Sequence, residues 1–231
     1  MNEQYDFERS WLDKFSKCID EIADENIRRD VLRGSENLTM ESSHQDVFAW
    51  SKVAMERLDQ QVDEKKCQDI LMGCACQYPK VNLQDVRMLY EENSDIDEVL
   101  VVLQYKFVEF LEHSLNLEKR LIGQIVQLGM GLAGVRKGNT IVATKIPKSG
   151  FLEDYFSETD PLKRRQMYCH CPRVRDSVTE SQGISETYCY CGAGYYKGIW
   201  EEILQQEVEV ELLESILMGN EFCTVAISLP D

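Results

Sequence analysis

The sequence predicts an α+β fold: an N-terminal helical bundle packed on a small C-terminal antiparallel sheet with one or two helices. Three observations carry that prediction. Up to about residue 130, apolar residues recur at three- and four-residue steps, the period of a helix with one buried face. The pattern breaks at Gly129, in a glycine-rich stretch. Beyond it, runs such as Thr140 to Ile146 alternate and are rich in β-branched residues, as half-buried strands are. The chain accordingly divides into a helical region, 1–130, and a cysteine-rich α+β region, 131–231.

Each element follows from local pattern. Phe7, Trp11, Phe15, Cys18, Ile19, Ile22 and Ile27 form one apolar stripe, predicting a first helix that stops near Gly34. A second starts at Ser42 or Ser43 and carries Val47, Trp50, Ala54, Leu58 and Val62. Asp63 can cap a third, with Cys67, Ile70, Leu71 and Cys74 on its inner face and Pro79 as its end. Asn82 opens a fourth, running to about Glu92. After the capping cluster Asn93-Ser94-Asp95 comes a strongly periodic helix through Ile96, Val99, Leu100, Leu103, Phe107 and Leu111. Leu117, Leu121, Ile125 and Leu128 mark one more.

Gly129-Met130-Gly131-Leu132-Ala133-Gly134 has the spacing of the G-x-G-x-x-G dinucleotide fingerprint. That loop needs a strand before it and a helix after it. Here a helix precedes and a hairpin turning at Gly138-Asn139 follows, so these glycines are not expected to hold a nucleotide. A loop through Pro161 leads into a short helical turn over Leu162 to Met167. Gly192 to Leu204 reads as a helix entered through a glycine-rich turn, with Tyr195, Ile199, Trp200 and Ile203 inward. Val208, Val210 and Leu212 alternate with Glu207, Glu209 and Glu211 in a strand whose glutamates form a wet face. A turn at Met218 to Glu221 returns the chain as a closing strand, Phe222 to Leu229.

With 231 residues and 43% hydrophobic content, the chain is long enough to bury a core by itself. Met1 to Asp30 lacks the apolar stretch of a secretory signal, and no run of about 18 apolar residues occurs, so a soluble cytoplasmic protein is expected. A net charge of -16 makes nucleic acid and anionic membranes poor partners, since both repel the chain. Positive charge is local: from Arg136 to Arg175, nine Lys or Arg residues face four acids. Nine cysteines without an export signal argue for reduced thiols or a metal rather than a disulfide framework.

The chemistry concentrates in two cysteine pairs, Cys169-His170-Cys171 and Cys189-Tyr190-Cys191, separated by 17 residues. In extended backbone, residues two apart face the same side, so each pair can present two thiols to one point. That predicts a tetrahedral zinc shell of Cys169, Cys171, Cys189 and Cys191. A second reading keeps the thiols free and reactive, with Arg173, Arg175, His170 and the helix start at Gly192 to Gly194 stabilising thiolate. A third makes them core residues without chemistry. The arginines also suit an anionic ligand, or else solvate a surface loop.

The ligand-binding set read from this region is His170, Arg173, Arg175, Tyr195 and Trp200, lining an aromatic pocket between the two halves. Its occupant is expected to be a small organic molecule, anionic or aromatic. The rival is a cysteine-dependent enzyme doing thiol redox or hydrolytic chemistry on a small anionic substrate. No nucleophile elbow, phosphate loop or His-Glu-x-x-His motif is present. Cys67, Cys74 and Cys76 form a third cluster that packing accounts for; the sharper reading places Cys74 or Cys76 on the pocket wall opposite Cys169. An iron–sulfur cluster drawing on both halves lacks any ferredoxin spacing to announce it.

The run Cys191-Gly192-Ala193-Gly194-Tyr195-Tyr196-Lys197-Gly198-Ile199-Trp200-Glu201, then Val208 to Leu213, then Gly219 to Ile227, resembles the end of the four-vinyl-reductase type ligand-binding domain. The resemblance covers roughly residues 130–231, with recognisable motifs from 189 onward. It implies an α+β small-molecule sensing or binding domain, in some relatives with a structural zinc. Cys189 or Cys191 and Cys223 match the outer metal positions of phenol-sensing members of that family. The two inner positions fall on Leu212 and Ser215, which are no substitute, so Cys169, His170, Cys171 or Glu214 would have to complete the set. The whole chain also resembles uncharacterised cysteine-rich bacterial proteins.

Overall fold

The computed structural model describes residues 6–175, 178 and 183–230 and has the expected α+β architecture. Its helical half runs α1 (Phe7–Ile22), α2 (Glu25–Val31), α3 (His44–Gln61), α4 (Glu64–Gly73), α5 (Gln84–Asn93), α6 (Ile96–Glu109) and α7 (Lys119–Gln127). Short polar side chains start α1, α2, α3, α4 and α6 by accepting otherwise unpaired backbone N–H groups. Ser43 accepts from the Asp46 N–H at 3.1 Å, Asp63 from the Lys66 N–H at 3.0 Å, and Asp95 from the Asp97 N–H at 2.8 Å.

The helix expected to run unbroken to Gly34 is two. Ala23 leaves helical space at φ -119°, ψ -112°, and Asp24 then caps α2 through the N–H groups of Asn26 and Ile27. The third helix stops at Gly73, well short of Pro79. At its far end α6 widens into a π-helical turn, Phe110–Ser114.

Four strands, β1 (Val135–Lys137), β2 (Thr140–Thr144), β3 (Glu209–Glu214) and β4 (Thr224–Ser228), form an antiparallel sheet in the order β1-β2-β4-β3. Ile141 pairs with Ile227 and Val210 with Ile227, so one face of the sheet is apolar while Glu209 and Glu211 stay exposed on the other. Between β2 and β3 lie α8 (Leu152–Ser157), α9 (Pro161–Tyr168), α10 (Pro172–Arg175) and α11 (Tyr190–Leu204). The segment expected to be a loop therefore holds α8. Asp160 caps α9, with Pro161 at its first turn.

Helix α11 is the central element. Its Tyr196, Ile199, Trp200 and Ile203 pack with Ile141, Val210, Leu212 and Ile227 of the sheet and with Val86, Ile96, Val99 and Leu103 of α5 and α6. Gly194 makes this closeness work: a Cβ there would overlap the carbonyl of Met72 on α4. A second cluster joins Trp11, Phe15 and Ile70 to Cys169 and Tyr188, and a third joins Phe107 and Ile125 to Tyr155, Tyr168 and Ile216. All three draw on both sides of the boundary expected at residue 130. No described helix is long and apolar enough to cross a membrane.

Candidate functional site

The three clusters meet around a cavity of about 540 Å³. Trp11 and Tyr188 come from one cluster, Phe107 and Tyr168 from another, Tyr196, Leu212 and Val225 from the third. Six cysteines reach its wall: Cys76, Cys169, Cys171, Cys189, Cys191 and Cys223. The volume falls within the range of small-molecule sites, roughly 300–1,000 Å³.

Backbone pairing places the first cysteine pair. Lys145 extends β2, its N–H bonding the Cys223 carbonyl at 2.9 Å. The buried Tyr168 hydroxyl donates to the Lys145 carbonyl and accepts from the Cys223 N–H at 2.9 Å. Two residues on, the His170 ring faces the Ile146 carbonyl through Nε2 at 2.8 Å. The segment 168–171 is thus fastened to the chain leaving β2. Cys189 stands at the N-cap of α11 and Cys191 in its first turn, so the helix carries the second pair.

Burial rules the protonation of these groups. It pushes the Cys169 thiol up to about 12, with the Cys171 and Cys223 sulfurs adding to the shift. Burial, then Cys171 and Cys76, raises Cys191 to about 12. Cys189 and Cys223 are raised by burial as well. Burial, with Lys145 behind it, lowers His170 to about 4, so its imidazole is neutral at pH 7. The Nε2 contact to a carbonyl requires the proton there, leaving Nδ1 as the lone-pair atom. A neutral imidazole supplies no charge to activate a thiol, and Cys169, Cys189, Cys191 and Cys223 are held as S–H. Cys18, outside the cavity wall, is lowered, first by a hydrogen bond from Cys74.

The sequence-predicted residues separate. Cys169, Cys171, Cys189, Cys191, His170 and Tyr195 all line the cavity, as does Cys76. Arg173 and Arg175 do not. Arg173 is fully buried in an ion pair with Glu8 and lies 4.3 Å from the Trp11 ring centroid. Arg175 donates to the Cys169 carbonyl at 3.1 and 3.2 Å and sits over Phe151, bracing the cysteine loop from outside. Trp200 is wholly buried in the sheet-facing core and is not among the residues lining the cavity. The four cysteines expected to share a zinc surround the cavity without focusing on it: among the described residues no three His, Cys, Asp or Glu side chains converge on a metal position. A single tetrahedral ion does not fit that arrangement.

Sequence reasoning missed Lys145. Together with Lys106 it is a lysine of the cavity wall, and among the described residues no Asp or Glu lines it. Lys106 is matched by Asp85 at 2.7 Å. Lys145 has no ion pair among the described residues and sits close enough to Cys169, Cys191, Cys223 and His170 to influence all four. Its position just past an alternating strand is the signal that was there to be read. The Gly129–Gly134 loop holds no fingerprint geometry: Gly131 bonds the Thr144 carbonyl and lines the cavity against Phe107.

A model of a family of unknown function (DUF6144) matches residues 11–107 and 148–231, most of the chain, and the chain belongs to that family. The matched segments hold all nine cysteines, while Lys145 lies between them. No curated protein and no solved structure matches the chain.

Proposed function

We propose, from the cavity rather than from family membership, that this protein binds a small organic molecule with an aromatic or apolar body and an anionic head. The observation that carries the reading is a 540 Å³ cavity walled by aromatic rings and thiols and lined by one lysine, Lys145, that has no ion pair among the described residues. Tyr78 and Tyr195, edge to face at 6.3 Å, offer flat-ring contacts on the cavity wall. Lys145 is the cation for the head group; the arginines first expected in that role are committed to Glu8 and to a backbone carbonyl. The likeness to four-vinyl-reductase type domains supports the same class of ligand. The Cys169 and Cys191 thiols, protonated by burial, serve as polarisable wall rather than as nucleophiles.

The test uses two aromatic probes, anilinonaphthalene sulfonate and an uncharged phenyl-naphthylamine, titrated by fluorescence. Both should bind the wild type. Lys145→Ala should weaken the sulfonate about tenfold, the value of one charge-assisted hydrogen bond, and leave the neutral probe unchanged. Equal affinities of the sulfonate for both proteins would sink the assignment of Lys145, and failure of both probes to bind would sink the site.

A further inference from the structure

Two thiols outside the cavity wall have no part in the reading above. Cys18 projects from α1, and Cys74 is the C-cap of α4. Lys14 and Cys18 are four residues apart, so they lie one above the other on the same face of α1. That face runs along the end of α4. The Cys18 Sγ rests against Gly73, where an added Cβ would overlap it, and Lys14 Nζ donates to the Ala75 carbonyl at 3.1 Å. Cys74 is therefore flanked on both sides by residues that α1 touches, and it is buried in the same cluster as Phe15 and Ile19 of α1. A disulfide spans Cα atoms no more than about 7 Å apart, so two helices can be bridged only where they pass closely. The absent Cβ of Gly73 provides such a passage.

The two thiols are chemically unlike. Cys18 is partly exposed, whereas Cys74 is buried with its S–H on the Ile70 carbonyl at 3.0 Å. The neighbouring Cys74 is the largest cause of a lowered Cys18, while burial raises Cys74. Accessible, more acidic thiols are the ones that meet an oxidant first, and a sheltered partner beside them resolves the product.

We propose that Cys18 and Cys74 form a redox pair that a hydroperoxide closes into a disulfide joining α1 to α4. The Cys18 sulfur attacks the O–O bond and takes one oxygen as a sulfenic acid; the other oxygen leaves with the Cys18 proton as water or an alcohol. The Cys74 sulfur then displaces the sulfenic hydroxyl, which departs with the Cys74 proton as water. Two thiols are oxidised to one disulfide, and the hydroperoxide takes up the two electrons. The bridge fastens α1, which lends Trp11 to the cavity wall, to the chain leaving α4, which lends Cys76 and Tyr78. Its formation needs no molecule in the cavity, so this proposal stands or falls separately from the function proposed above.

The test exposes the reduced full-length chain to one equivalent of hydrogen peroxide at neutral pH. The remaining thiols are then blocked with N-ethylmaleimide under denaturing conditions, and the peptides are mapped without reduction. The expected product is one cross-linked peptide pair, Cys18 to Cys74, with the other cysteines alkylated, and a dithiol reductant should return the starting mass. Cys18→Ser should abolish the cross-link, and Cys74→Ser should leave Cys18 as a sulfenic acid that dimedone captures. Because Cys74 is buried, the wild-type map is the arm that does not depend on a variant folding. Cys18 recovered alkylated or as a lasting sulfenic acid in the wild type, Cys18 bridged to another cysteine, or cavity cysteines bridged ahead of it, overturns the proposal.

Discussion

Arg173 shows how a residue's role is decided by what it meets. Its guanidinium is taken wholly out of water, over the Trp11 ring and against Glu8 on the first turn of α1. Removing one partner of a buried pair strands the other, at about 3–5 kcal/mol. Arg173→Ala should therefore lower the urea midpoint of unfolding strongly, and Glu8→Gln less, since Glu8 keeps some solvent contact. His170 gives the pH dependence. Burial lowers its folded value to about 4, while the unfolded imidazole titrates near 6.5, so the unfolded chain binds the extra proton between those values. Stability should be complete above about pH 6.5 and fall as the pH drops toward 4, by roughly 3 kcal/mol from this residue. His170→Gln, which keeps an N–H for the Ile146 carbonyl, should flatten that part of the curve in denaturant melts at stepped pH. The cysteines and His170 were legible in the sequence because their chemistry is intrinsic. Arg173 was misassigned because its partner lies 165 residues away, a pairing no local pattern announces.

At the scale of elements, local chemistry was the better guide. Ser43, Asp63 and Asp95 were readable as caps because the cap and the N–H it accepts are three residues apart or fewer. The break between α1 and α2 was hidden, since Ile27 continues the apolar stripe across it, and α8 was hidden because six residues are too few to show a period. Close packing decides the rest. Helix α11 meets the end of α4 at Gly194, where a methyl group would drive into the Met72 carbonyl. Gly194→Ala should cost about 1–3 kcal/mol despite the better helix propensity of alanine, as overpacking outweighs a gain of about 1 kcal/mol. Thermal melting checks the sign: a raised midpoint would mean that α4 moves aside freely.

For the whole molecule, α11 and the sheet bury their apolar faces against α5 and α6, so residues 131–231 lack a closed core of their own. Expressed alone, that fragment should show collapsed amide dispersion by NMR and regain it when residues 1–130 are added in trans. The negative surface, -16 overall, leaves the cationic side chain of Lys145 as a local exception facing inward. The cavity lies where three apolar clusters abut, which gives any occupant leverage out of proportion to its size. A guest wedged at that junction acts as a keystone. Calorimetry on the loaded protein should record one sharper endotherm at higher temperature, every layer giving way together.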